Sequence, residues 1–208
     1  LAAVLNSLGV VAYFEGDQPT SRRFYEESLN IARALGDIQG VNTAVQNVAE
    51  LQFADGDAAA AIETARQGVS AAREADDREG ECWISTNLGA YLLLQDDVEE
   101  GTAVTAFGLK QALDLEIEYA ATCALQHLAL AKAQSGFFST AARLQGHVDA
   151  TYMAIGAKRD STEQTSSDRL MAKLIVKLTE ADLVKLLAEG AALDRDSAVV
   201  LALRESAA

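Results

Sequence analysis

The sequence predicts an all-α fold built as a solenoid, on three observations. One proline stands beside fourteen glycines in 208 residues, and half of the chain is apolar while only 6% is aromatic. Sandwiches and barrels consume Pro and Gly in their many turns, so that balance favours helices. Sliding the chain along itself by 40 residues brings Leu8–Asp17, Val48–Asp57, Leu88–Asp97 and Leu128–Phe137 into one register. Within the units, apolar residues recur at helical spacing, as in Phe24, Leu29, Ile31 and Leu35 with Ser, Arg and Glu between them.

Each unit divides into two helices. The first runs over 2–15, 40–54, 80–95 and 119–135, and the second over 20–35, 58–75, 98–114 and 138–155. Gly16, Gly56, Asp96 and Gly136 close the first helix. Gly16-Asp17 and Gly56-Asp57 supply a left-handed C-cap residue and then a short side chain that accepts from free amides. Pro19 sits where the first helical turn tolerates it. Small residues Gly9, Ala49, Gly89 and Ala129 are expected to meet Ser28, Gly68 and Gly108 where the helices cross, with Val148 the bulky exception. Such pairs cannot bury their faces singly and must stack.

The register ends after Gly156, giving four helix pairs over 1–157 and a C-terminal region over 158–208. Lys158 to Ser167 is polar and expected as a loop. A helix follows with Leu170, Met171, Leu174, Ile175 and Leu178. Thr179 and Asp182 resemble a capping box opening a helix that ends at Gly190, and Asp194 caps a last helix carrying Val199, Val200 and Leu203. The region is expected to cap the fourth unit, as terminal repeats require. The first helix has no such cover. A chain opening at Leu1, without Met and already inside a helical pattern, points to a segment of a longer protein or to homodimerisation through that end.

Composition narrows function by exclusion. With 17 basic and 31 acidic residues the net charge is −14, which phosphate backbones and anionic lipid repel. Of the acidic groups, 22 precede residue 158, beside 9 of the basic ones. Direct nucleic-acid binding and membrane association are not expected. Two cysteines, Cys82 and Cys123, form no C-x-x-C pair and no disulfide framework, which suits a reducing cytoplasm. The chain has no phosphate loop, no G-x-G-x-x-G, no H-E-x-x-H and no G-x-S-x-G. An enzyme and a bound cofactor are therefore not expected in this segment.

Leu8-Gly9, Gly16-Asp17, Tyr25 and Ser28 make the first unit similar to the tetratricopeptide repeat. Its other units depart by Leu128-Ala129 and by loss of the second-helix aromatic, and the period exceeds the usual ~34 residues. The resemblance implies a right-handed α-α superhelix with C-terminal capping helices. The run from Ala141 through a polar spacer and a Leu-rich helix to Leu183–Leu193 and the Asp-capped last helix resembles the C-terminal end of bacterial multidomain regulatory ATPases, including LuxR-type transcriptional regulators. That implies an upstream ATPase domain in the parent chain, with this segment as its sensor or protein-contact arm.

By the same resemblance, the first helices line a concave groove. The stripe comprises Thr43, Gln46, Asn47, Glu50 and Phe53, then Trp83, Thr86, Asn87 and Ala90, then Cys123, Gln126, His127 and Leu130. Spacings of three and four place them on one helical face. Amides that donate and accept, beside the flat face of Trp83, suit a peptide or protein ligand. In the alternative, Asn47 and Asn87 bond neighbouring helices and Trp83 fills the core. Cys123 and His127 share a face as metal ligands would, but without a third ligand they are expected to pack or line the groove. His147 is expected at the surface or partly packed. The groove lacks the Lys and Arg of a carboxylate clamp. A protein or peptide partner is thus expected for a regulatory module, beside two alternatives: a stand-alone adaptor and a small-molecule sensor.

Overall fold

In the computed structural model, which describes residues 1–204, eleven helices follow one another without a strand among the described residues. They are α1 (Ala2–Phe14), α2 (Gln18–Leu35), α3 (Ile38–Ala54), α4 (Ala58–Glu74), α5 (Arg78–Leu94), α6 (Val98–Asp114), α7 (Glu118–Gln134), α8 (Phe138–Ile155), α9 (Ser161–Lys177), α10 (Glu180–Ala191) and α11 (Arg195–Leu203). The last four residues of the expected C-terminal region, 205–208, lie outside this description.

Helices α1–α8 form an all-α helical-repeat superhelix of antiparallel pairs. The odd helices touch one another in sequence, α1 to α3 to α5 to α7, while each even helix packs between the odd helices that flank it. One layer is thereby drawn together and the other splayed, which curves the array and puts the odd helices on its inner face.

The turns repeat at half the expected period. A residue with positive φ recurs at Gly16, Gly36, Gly56, Asp76, Asp96, Glu116, Gly136 and Gly156. At each turn the amide of the following residue donates to a carbonyl five residues back, from Asp17 to Ala12 through to Ala157 and Tyr152. This is the bonding of a Schellman C-cap. Asp17, Asp37, Asp57, Asp77 and Asp97 then cap the next helix, each accepting from the amide three residues on. Turns within a pair and between pairs are the same device.

The helix crossings differ from expectation by one turn. Gly9 faces the ring of Tyr25, where a Cβ would stand 2.5 Å away. Gly89 lies against Thr105, Gly68 against Val45 and Gly108 against Thr86. The three-residue turn fixes the antiparallel register so that each small residue receives a side chain instead of meeting another small residue. Ser28 and Ser21 add hydrogen bonds to the carbonyls of Ala2 and Gly9, at 2.8 and 2.9 Å.

The C-terminal region both caps and covers. Helix α10 crosses α8 with Gly146 against the Leu187 carbonyl and Gly190 against the Arg143 carbonyl. Backbones approach this closely only because each contact has a residue without a Cβ on one side. Helix α11 rests on α7 and α8. Helix α9 instead lies across the inner face, in contact with α7, α5 and α3. It begins at Ser161, so most of the stretch expected as a loop is helical. Its buried stripe is Thr162, Glu163, Ser166 and Ser167, then Leu170 and Leu174. The first half of that stripe is polar because the groove it meets is polar, and apolar periodicity does not register such a helix. Leu1 at the cap of α1 and Val4, Leu8 and Val11 on it are exposed.

Candidate functional site

Helix α9 and the neighbouring helices divide the predicted groove stripe into packed residues and cavity-lining ones, and Thr86 is covered not by α9 but by α6, where Gly108 lies against it. Thr86, Gln126 and His127 are fully buried. Thr86 donates to the Cys82 carbonyl at 2.9 Å. Gln126 donates to Gln145 Oε1 at 2.9 Å and accepts from Arg159 Nε at 2.9 Å. His127 Nδ1 shares a hydrogen bond with Ser166 of α9 at 3.0 Å, and its Nε2 stands 3.5 Å from Glu163 Oε1. Ala90 and Leu130 are packed in the interior. These residues anchor α9 and the helix pairs.

The others, of which Cys123 is itself buried, gather around a cavity of about 240 Å³. Gln46, Asn47, Glu50, Trp83, Asn87 and Cys123 line it, together with Val10, Tyr13 and Phe14 of α1, Tyr25 of α2, Tyr119 of α7, and Asp160 and Glu163 at the start of α9. Helices α1, α3, α5 and α7 thus form the walls and the N-terminus of α9 closes one end. Thr43 lies outside it, in a second cleft of about 190 Å³ with Gln39, Asn42 and Glu79, which shares Gln46 and Trp83 with the first. Phe53 is stacked on Tyr91 with ring centroids 4.7 Å apart.

Both uses of the amides foreseen from sequence occur. Asn47 donates to Asn6 Oδ1 on α1 at 2.7 Å while still lining the cavity. Trp83 is partly exposed and faces Tyr119, their rings 6.0 Å apart and tilted by 44°. A second ring, Tyr152, meets Tyr119 edge-on at 6.0 Å.

The cavity holds three carboxylates. Glu50 Oε2 accepts from Thr162 Oγ1 at 2.6 Å and from Tyr91 Oη at 3.0 Å. Its Oε1 is shielded from solvent with no hydrogen-bond partner. Burial, with the charge of Glu163 nearby, pushes the Glu50 carboxyl up to about 7 against the pull of those two hydrogen bonds. Burial also raises Asp160 above the ordinary aspartate range, and Glu163 adds to that. For Glu163 itself, burial is outweighed by the neighbouring His127 imidazole, which holds it below the usual glutamate range. Burial and Glu163 raise the Cys123 thiol well above its ordinary value. That thiol stays protonated, 3.5 Å from Tyr152 Oη, and is no nucleophile at neutral pH.

The stripe did not include Tyr13, Tyr25, Tyr119, Asp160 and Glu163. Two signals were available for some of them: Tyr13 stands 40 residues before Phe53, and Tyr119 stands one helical turn before Cys123. Nothing local marks Asp160 or Glu163, which reach the cavity only because α9 folds back. His147 is buried, its Nδ1 3.1 Å from the Leu193 carbonyl. Among the described residues no cluster of three or more His, Cys, Asp or Glu is arranged to hold a metal ion. Nor is any helix among them long and apolar enough to cross a membrane. No protein-family model matches the chain, and no curated protein matches it.

Proposed function

We propose that the chain is a non-catalytic, ligand-sensing and protein-interaction module of tetratricopeptide-like build, working within a larger cytoplasmic transcriptional regulator or signalling ATPase. The observation that supports it is the placement of α9. This helix lies in the groove where such arrays take ligands, and its N-terminus closes a cavity of about 240 Å³. An occupant would touch α1, α3, α5, α7 and the start of α9 together, so that occupancy and the seating of α9 are linked. Exposed Leu1, Val4, Leu8 and Val11 are the surface on which this reading places a second copy of the chain.

The only tryptophan, Trp83, lines both clefts and reports on them. Titration with pooled metabolites and with pooled peptides is expected to give a saturable change in its emission for at least one pool. An unresponsive Trp83 across all pools sinks the sensor reading. Reading the gene upstream of Leu1 for a phosphate loop checks the larger assignment. A second reading, a peptide adaptor, is favoured by the continuity of the two clefts through Gln46 and Trp83.

A further inference from the structure

Three features of the cavity bear on what it would bind: its charge, its walls and its size. None of its lining residues is Lys, Arg or His, whereas three are carboxylates. Glu163 has His127 beside it, but neither Glu50 nor Asp160 belongs to an ion pair among the described residues. Arg159, the nearest guanidinium in sequence, is engaged with Asp149 and Gln126 and lies over the Tyr152 ring, 4.7 Å from its centre. A further positive influence is the N-terminus of α9, roughly half an elementary charge. Asp160 at its cap and Glu163 in its first turn already face that end.

Glu50 remains. Its Oε2 is satisfied by Thr162 and Tyr91, and its Oε1 is buried without a partner. A buried acceptor left unpaired costs on the order of 1–3 kcal/mol, a penalty that a donor entering the cavity would relieve. The walls are rings. Trp83 and Tyr119 stand side by side, and the faces of such rings attract cations. The cavity, at about 240 Å³, exceeds the ~150 Å³ that accommodates benzene elsewhere.

We propose that this cavity recognises an organic ammonium group on a short apolar stem, with Glu50 as its counter-ion and hydrogen-bond acceptor and Trp83 and Tyr119 as its aromatic walls. The proposal rests on the ligand-sensing reading and names the ligand's chemical class. The raised carboxyl of Glu50 fits it, since a cation would draw that group into its charged form. The same ammonium could arrive as a free amine or as a lysine side chain threaded from the second cleft.

Isothermal titration of the full chain at pH 8, with Trp83 emission recorded in parallel, tests this with four probes. Phenethylamine is the free cation, 2-phenylethanol its neutral counterpart, phenylacetate its anion, and a tripeptide blocked at both ends with a central lysine carries the tethered cation. At least one of the two cations is expected to bind ten times more tightly than the alcohol and the anion, and which one binds identifies the source. Glu50→Gln, which keeps an acceptor for Thr162, is expected to cost that cation about tenfold or more and to leave the alcohol unaffected. The thermal unfolding of the variant shows that it is folded. Equal binding of alcohol and cation, or undiminished cation binding by Glu50→Gln, overturns the cationic assignment while leaving a ligand cavity in place. Silence from all four probes overturns the cationic assignment, and only Trp83 silence against the wider pools removes the sensor reading with it.

Discussion

Helices α1–α4 and α5–α8 share one 20-residue plan of helix and turn, yet their burial differs sharply. The inner helices α1 and α3 bury four and five residues, whereas α5 and α7 bury twelve and thirteen. The larger apolar core runs from α5 through α11, and the smaller one joins α3, α4 and α5. The difference arises from coverage. Helix α7 is packed by α5, α6, α8, α9 and α11, while α1 is packed chiefly by α2, with a smaller contact to α3. Sequence does not announce the difference: exposed α1 has only Asn6 and Ser7 to interrupt its apolar run before Tyr13, whereas enclosed α7 carries Thr122, Gln126 and His127 in its interior. A repeat of fixed geometry can therefore carry very uneven local stability, set by what lies over each copy.

Three expected outcomes would break or sharpen this contrast. The largest concerns the cover itself. Gly190→Ala places a Cβ against the Arg143 carbonyl, a backbone atom that cannot swing aside. A loss of about 3 kcal/mol is expected, at the upper end for overpacking, with earlier urea unfolding of α7 and α8. A cost below about 1 kcal/mol would mean that the covering helices do not hold the C-terminal half together.

The second compares one leucine from each region. Leu170 of α9 is fully buried, and its change to Ala is expected to cost about 3 kcal/mol, within the range for core leucines. Leu8 of α1 is 44% exposed, and Leu8→Ala is expected to stay within about 0.5–1 kcal/mol in the monomer. Equal losses would show that α1 is covered in solution. Light scattering at high concentration would then show a dimer if a second copy provides the cover.

The smallest is a pH effect. The Glu50 carboxyl keeps its proton in the folded chain up to about 7, whereas in the unfolded chain it releases it near its ordinary 4.5. Between those values the unfolded state binds fewer protons, so Glu50's contribution to stability falls as pH rises through the window. Glu50→Gln is expected to remove that slope and so to gain on the parent, between pH 5 and pH 8, about 2.5 kcal/mol, or roughly 5–10 °C in Tm. A parent whose slope survives the substitution would place the titration elsewhere.

Much of the array was legible because its determinants are local. Apolar spacing and the Gly-Asp turns locate the eight helices within a few residues. Asp37, Asp77 and Asp97 repeat the cap of Asp17 and Asp57, and with them the 20-residue period was present but concealed, because Asp76 and Glu116 stand in turns between pairs where Gly36 and Gly156 mark the others. Asp tolerates left-handed backbone, and a search for glycine passes over it. The candidate cavity was half legible. Gln46, Asn47, Glu50, Trp83, Asn87 and Cys123 follow from one helical face of each repeat, but whether those faces stay open depends on α9, a distant segment of the chain. From that segment Thr162 reaches Glu50. Its polar stripe resembles a solvated surface until its partner is known, so Gln126 and His127, bonded to Arg159 and Ser166, could not be sorted from their neighbours by pattern.

The sameness of the turns has a consequence for how this chain can lengthen or shorten. Every turn from Gly16 to Gly156 closes by the same bonds, so none of them distinguishes the inner layer from the outer. That distinction is written only on the helices. Removing one helix with its turn would leave every remaining joint intact and yet exchange inside for outside in all that follows, turning Trp83 and Glu50 to opposite sides if α4 were the one lost. Only whole pairs can be gained or lost without that inversion, which makes 40 residues, and not 20, the unit in which such an array can be edited.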